Sequence, residues 1–211
     1  MASKKQTRAA VPQGLIQLAQ KADPNVISIN FQPLNVRNDC SSLGEWKVSE
    51  SKKIGNKLHM AILAVRQFYG KLGKSTNQWL QIFFVPAPKD PTILPKNVVC
   101  VTYVKNQSLA ELTAELIITP NPEQGIWETS FIPKENEKGK YHYVSFFCRS
   151  RNEDEKFQLE AISKFLKEEG HRLYDPSLPP TMFPYSDEES LEIAMAKVAE
   201  APEAEKLAAK A

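Results

Sequence analysis

The segment RQFYGKLGKSTNQWLQIFF, Arg66 to Phe84, places cations between rings. Arg66, Lys71 and Lys74 stand beside Phe68, Tyr69 and Trp79 around a glycine-rich turn. Positive charge can neutralise the phosphates of an unpaired polynucleotide. Rings can stack its bases whatever their identity, at about 1–3 kcal/mol per base. Lys52, Lys53, Lys57, Lys105 and Lys140 extend the candidate track. Trp46, Tyr103, Trp127, Tyr141 and Tyr143 are further candidate stacking residues. The competing chemistry is ordinary: most aromatics in strands are core, and a lysine-rich hairpin tip can be merely solvated.

Catalytic patterns are missing. The chain has no phosphate-binding glycine loop, dinucleotide fingerprint, H-E-x-x-H or G-x-S-x-G. His59, His142 and His171 carry no carboxylates at metal-ligand spacing. Cys40, Cys100 and Cys148 form no C-x-x-C pair, so neither a cofactor nor a metal is expected. Cys100 and Cys148 lie in apolar runs and read as reduced, packed thiols of a cytoplasmic protein. Glu153, Asp154 and Glu155 read as a helix start and Glu128 stands alone in its strand, so no acid–base dyad is visible. The expectation is a binding protein, not an enzyme.

Charge is divided along the chain. From Leu43 to Lys105 ten bases face three acids, whereas from Asn152 to Ala211 fourteen acids face seven bases. A basic body with an acidic appendage fits this split; so do strand lysines that guard sheet edges. No apolar run reaches the ~20 residues that span a bilayer, and no apolar stretch follows the basic start MASKKQTR, so neither a membrane segment nor a secretory signal is expected.

The elements that must position these residues are mostly strands. NVISINF, EWKV, QWLQIFFV, NVVCVTYV, IWETSFI and YHYVSFFCR are β-rich, and IWETSFI alternates Trp127, Thr129 and Phe131 against Ile126, Ser130 and Ile132. In YHYVSFFCR, Tyr141, Tyr143, Ser145, Phe147 and Arg149 share a face. KLHMAILAVRQFYG fits either a helical stripe or a strand; the turn chemistry of GKLGKSTN favours a strand. In QWLQIFFV, Leu80, Ile82 and Phe84 form the core face, with Trp79, Phe83 and Val85 on the other. A helix lying over Phe83 and Val85 would make Trp79 packing.

SLAELTAELI predicts a helix with a capping box from Ser108 to Glu111 and a stripe of Leu109, Leu112 and Leu116, joined by Ile117. NEDEKFQLEAISKFLKEEG predicts a second, capped by Asn152 and burying Phe157, Ala161, Ile162, Phe165 and Leu166. PAPKDPTILP and KENEKGK read as loops. Residues 1–23 read as a flexible basic arm, 24–171 as one domain, and 172–211 as a proline linker with an acidic Ala/Glu-rich tail that includes a capping box at Ser186 and Glu189.

Three strands, a helix, then two strands is an order that resembles the OB-fold of single-stranded nucleic-acid-binding proteins, over roughly Gly44 to Arg149. The resemblance implies an α+β, mainly β fold: an elaborated OB-like barrel with one inserted helix and a C-terminal helix. A sandwich is the alternative, because the strands exceed five. It also implies binding through SESKKIGNK, the GKLGKSTN tip and KENEKGK. The function expected is sequence-tolerant binding of single-stranded nucleic acid, most simply DNA in replication, recombination or a mobile element, with the tail recruiting a protein partner. The alternative is a protein-interaction or assembly module, for which the apolar helix faces would suit a homo-oligomer.

Overall fold

The computed structural model describes residues 26–30, 33–41, 43–48, 52–137 and 139–174. The expected N-terminal arm and the tail after Tyr174, with its capping box, lie outside these residues. Nine strands and two α-helices are described: β1 Leu34–Asn35, β2 Arg37–Asp39, β3 Glu45–Lys47, β4 Lys53–Gly55, β5 His59–Leu72, β6 Ser75–Pro86, β7 Cys100–Lys105, α1 Asn106–Ile118, β8 Ile126–Asn136, β9 Gly139–Arg149 and α2 Phe157–Glu168. The fold is α+β and mainly β. Six strands form one sheet in the order β1-β7-β6-β5-β8-β9, and β2, β3 and β4 form a small second sheet. Among the described residues the large sheet ends at β1 and β9 and does not close into a barrel.

Residues 59–72 are strand, as the turn chemistry requires. The β5–β6 hairpin closes through Leu72 and Ser75, with Gly73 at φ +60° in the left-handed region that glycine adopts without strain. Likewise β8 and β9 run through what reads as the KENEKGK loop, pairing as far as Asn136 and Gly139. The two long hairpins share little. β5 pairs with β8 only at His59↔Glu128 and Met60↔Trp127. Because the strands are antiparallel, the hairpins then extend in opposite directions, about 40 Å along β5 and about 30 Å along β8.

Both faces of the sheet are buried at the waist. On one, Leu80, Ile82 and Phe84 join Met60, Trp127, Trp46 and Leu112 of α1. On the other, Phe83 and Val85 join Ala61, Ile126 and Ala161, Ile162 and Phe165 of α2. The second helix therefore covers Phe83 and Val85, the arrangement that makes the outer face of QWLQIFFV core.

Three local expectations are corrected. Ser108 does not cap α1, which starts two residues earlier at Asn106; its buried hydroxyl accepts the Val144 N–H at 2.9 Å, satisfying the edge of β9. Ile117 lies outside the α1 stripe and is exposed, as is Ile118. On α2, Phe157 and Leu166 are exposed, while Gln158 is buried and donates to Pro86 O at 3.0 Å. Asn152 does initiate the second helical region: its N–H donates to the Glu155 carboxylate at 2.9 Å. All three cysteines are free, Cys100 buried and Cys148 half-buried. Burial pushes the Cys40 thiol up to about 11, so it stays protonated.

The proline-rich link from β6 to β7 is held by Asp90. Its buried carboxylate accepts the His59 N–H at 2.8 Å, the Thr92 N–H at 3.1 Å and the Thr92 hydroxyl.

Candidate nucleic-acid interface

The ten sequence candidates separate into two groups at opposite ends of the sheet. Arg66, Tyr69, Lys71, Lys74, Trp79 and Lys105 belong to the β5–β6 arm and the adjoining end of β7. Here the expectation of an open ring fails. Trp79 is 8% exposed and Phe68 2%. The indole N–H donates to Gly70 O at 3.0 Å, so the ring lies across a strand position that carries no side chain. Phe68 meets Tyr103 edge-on at 6.4 Å, and the Tyr103 hydroxyl accepts from Gln81 at 3.1 Å. Burial raises the Tyr103 phenol to about 12, so it remains neutral.

Lys105 is also engaged. Its Nζ sits 5.0 Å from the centroid of the Trp79 ring and donates to Ser75 Oγ at 3.2 Å. This is a structural cation–π contact that ties β7 to the hairpin. Tyr69 alternates with Phe68 and points to the opposite face, together with exposed Lys71; Lys74 lies in the turn. The group supplies cations at the arm's end but no solvent-facing indole. Trp46 and Trp127 are fully buried as well, which removes them as stacking residues.

The second group surrounds the β8–β9 arm. Its outer face continues the α2 side of the sheet beyond the helix. The rungs are Glu128↔Phe147, Ser130↔Ser145, Ile132↔Tyr143 and Lys134↔Tyr141. Phe147 is 61% exposed and Ile132 37%, with Tyr141 and Tyr143 half-buried. Same-face neighbours along a strand are about 7 Å apart, so these side chains line a strip about 20 Å long. Lys134 Nζ is 5.7 Å from the Tyr143 ring centroid and donates to Gln107 Oε1 at 2.9 Å. Burial, then the charge of Glu111, raises the Tyr143 phenol above its usual range.

Cations stand around this arm, on both of its faces. The Thr129 N–H donates to Leu58 O at 3.0 Å, which sets exposed Lys57 level with Ser130 at the open edge of β8. Lys53 and Lys52 lie on and beside β4, in the small sheet that packs through Trp46 against Phe131 on the face opposite the strip; Lys53 is 3.2 Å from Glu45. Lys140 is exposed near the tip, paired across the ladder with Glu135, and alternates to the face opposite the strip. Of the sequence candidates, then, Lys57 stands at the face that carries Tyr141 and Tyr143, while Lys52, Lys53 and Lys140 lie around the same arm on its other side. Phe147 and Lys134 are the additions that the candidate set missed, although period-two alternation already groups Phe147 with the two tyrosines.

The waist end of the strip is clamped. Arg149 donates to Glu128 through Nε at 2.6 Å and to both Glu155 oxygens through Nη1 and Nη2 at 2.7 and 2.9 Å. The Arg149 guanidinium holds Glu155, whose side chain is fully buried, down at about 2. Nearby Arg151 donates to Gln158 Oε1 at 2.9 Å and Gln124 O at 2.8 Å, and burial lowers its pKa to about 10. These carboxylates are committed to fixed guanidinium partners, which suits a brace and not proton transfer.

Among the described residues no group of three His, Cys, Asp or Glu side chains could hold a metal ion, and no helix is long and apolar enough to cross a membrane. No protein-family model, curated protein or solved structure matches the chain.

Proposed function

We propose that this protein binds single-stranded nucleic acid without catalysing a reaction, laying the strand along the outer face of the β8–β9 arm. The observation that carries the proposal is the row of Phe147, Tyr143 and Tyr141 on one sheet face, with Lys134 on the same face and Lys57 at its border. Rings on a rigid ribbon give bases a platform at little ordering cost, and lysines at the borders meet phosphates as point charges. Sequence tolerance follows, because every base has a stacking face; DNA is the simplest substrate. At finer grain we read the fold as an opened OB-like arrangement. The strand–helix order supports this, as does the His142 N–H bond to Cys40 O at 2.7 Å, which draws the far edge of the sheet toward β2.

Binding is tested by the fluorescence anisotropy of a labelled oligothymidylate, with duplex of the same length as control. Tryptophan quenching is the wrong readout, since all three indoles are buried. The single strand should bind and the duplex should not compete; equal binding of both overturns the proposal. One observation favours a second function: Ile117 and Ile118, 79% and 71% exposed at the end of α1, suit a protein partner. In that case light scattering shows a discrete complex or oligomer, and the oligonucleotide does not bind.

A further inference from the structure

The strip is interrupted at one rung. Between Phe147 and the Ile132–Tyr143 pair stand two serines, Ser130 and Ser145, directly opposite each other in the ladder. Ser130 is exposed and Ser145 half-buried, and among the described residues neither hydroxyl has a hydrogen-bond partner within the protein. Large side chains therefore flank a small, polar floor on the outside of a rigid two-stranded ribbon. From Phe147 to Tyr143 along β9 is about 13 Å, which accommodates one or two base planes at about 3.4 Å each. The two hydroxyls project from Cβ atoms about 5 Å apart, and each can donate and accept. Lys57, level with Ser130, stands at the edge of the same rung.

We propose that the Ser130–Ser145 pair is the floor of a slot that receives a nucleobase edge-on, with its polar edge on the two hydroxyls and its faces toward Phe147 and Tyr143. This rests on the nucleic-acid function proposed above and adds a contact that function does not need. A ring-only surface is indifferent to what a base carries on its edge, whereas a hydroxyl floor is not. Because serine donates and accepts equally, the slot accepts any natural base. It rejects a base of the same shape that has no hydrogen-bonding groups.

The experiment compares an oligothymidylate with a strand of equal length in which difluorotoluene, a thymine-shaped apolar base, replaces thymine. The full chain and its Ser130→Ala/Ser145→Ala variant are titrated against both. One or two hydrogen bonds, each a modest net contribution, predict that the unmodified protein binds the apolar strand about threefold to tenfold more weakly. The variant should bind the two strands within about twofold of each other. If the unmodified protein does not distinguish the strands, or the variant distinguishes them as well as the parent, the slot is overturned while strand binding stands. If the thymine strand does not bind at all, the proposed function fails and the slot with it. The comparison in the unmodified protein needs no substitution, so poor folding of the variant cannot rescue the proposal.

Discussion

Phe147→Ala and Trp79→Ala make a pair with opposite expected effects. Both remove a ring from the same side of one sheet, yet their surroundings differ. Phe147 is 61% exposed, whereas Trp79 is 8% exposed, has its indole N–H bonded to Gly70 O at 3.0 Å and carries Lys105 5.0 Å from its ring centre. Truncating Phe147 removes little buried surface, so stability should change by no more than about 0.5 kcal/mol. It removes one stacking face, worth about 1–3 kcal/mol, or roughly fivefold to 150-fold in affinity for an oligothymidylate. Truncating Trp79 opens a cavity and strands the Lys105 contact, costing about 3–5 kcal/mol of stability. Affinity per folded molecule should hold within about twofold, because the hairpin arm lies away from the strip. Urea denaturation gives the first quantity and anisotropy at fixed salt the second. If Trp79→Ala abolishes binding in protein shown to be folded while Phe147→Ala leaves it intact, the placement of the interface is wrong.

Three further outcomes follow from the same geometry. If Lys57 and Lys134 each neutralise one phosphate, log affinity should fall against log salt with a slope of about −1.4, and each Lys→Ala should flatten it by about 0.7; a salt-independent affinity removes the electrostatic contribution. Glu155→Gln leaves Arg149 short of its buried partner and should destabilise by about 3 kcal/mol in denaturant. Because the folded Glu155 carboxyl is depressed from 4.5 to about 2, its contribution is complete above about pH 4.5 and is lost as pH falls toward 2. An acid-melting profile unchanged by this substitution refutes the brace. Ser108→Ala leaves the Val144 N–H at the edge of β9 without an acceptor and should cost about 1–3 kcal/mol, read as a lower urea midpoint at unchanged slope.

The strands and their faces were largely legible because alternation is local. Leu80, Ile82 and Phe84 sort from Phe83 and Val85 by period two alone, and Gly73 marks the hairpin turn by its chemistry. What the sequence does not carry is what lies above a face. Trp79 alternates correctly to the outer side, but its burial depends on Gly70 of the neighbouring strand and on Lys105 of a third. Ser108 fits a capping box with Glu111 three residues on, yet a backbone N–H of β9, distant in sequence, claims its hydroxyl. The register between β5 and β8 is equally non-local, and it alone sends Lys71 and Lys74 to one end and Lys140 to the other. Phe147 shows the converse: a ring amid Val144, Phe146 and Cys148 resembles core, and it is exposed because no element among the described residues covers it.

The waist where β5 and β8 overlap for two rungs is the short ladder through which the two long hairpins are joined. Adding or deleting paired residues at either free end leaves the anchorage of the other untouched. A change in the length of one ribbon therefore alters reach at that extremity without disturbing the opposite one.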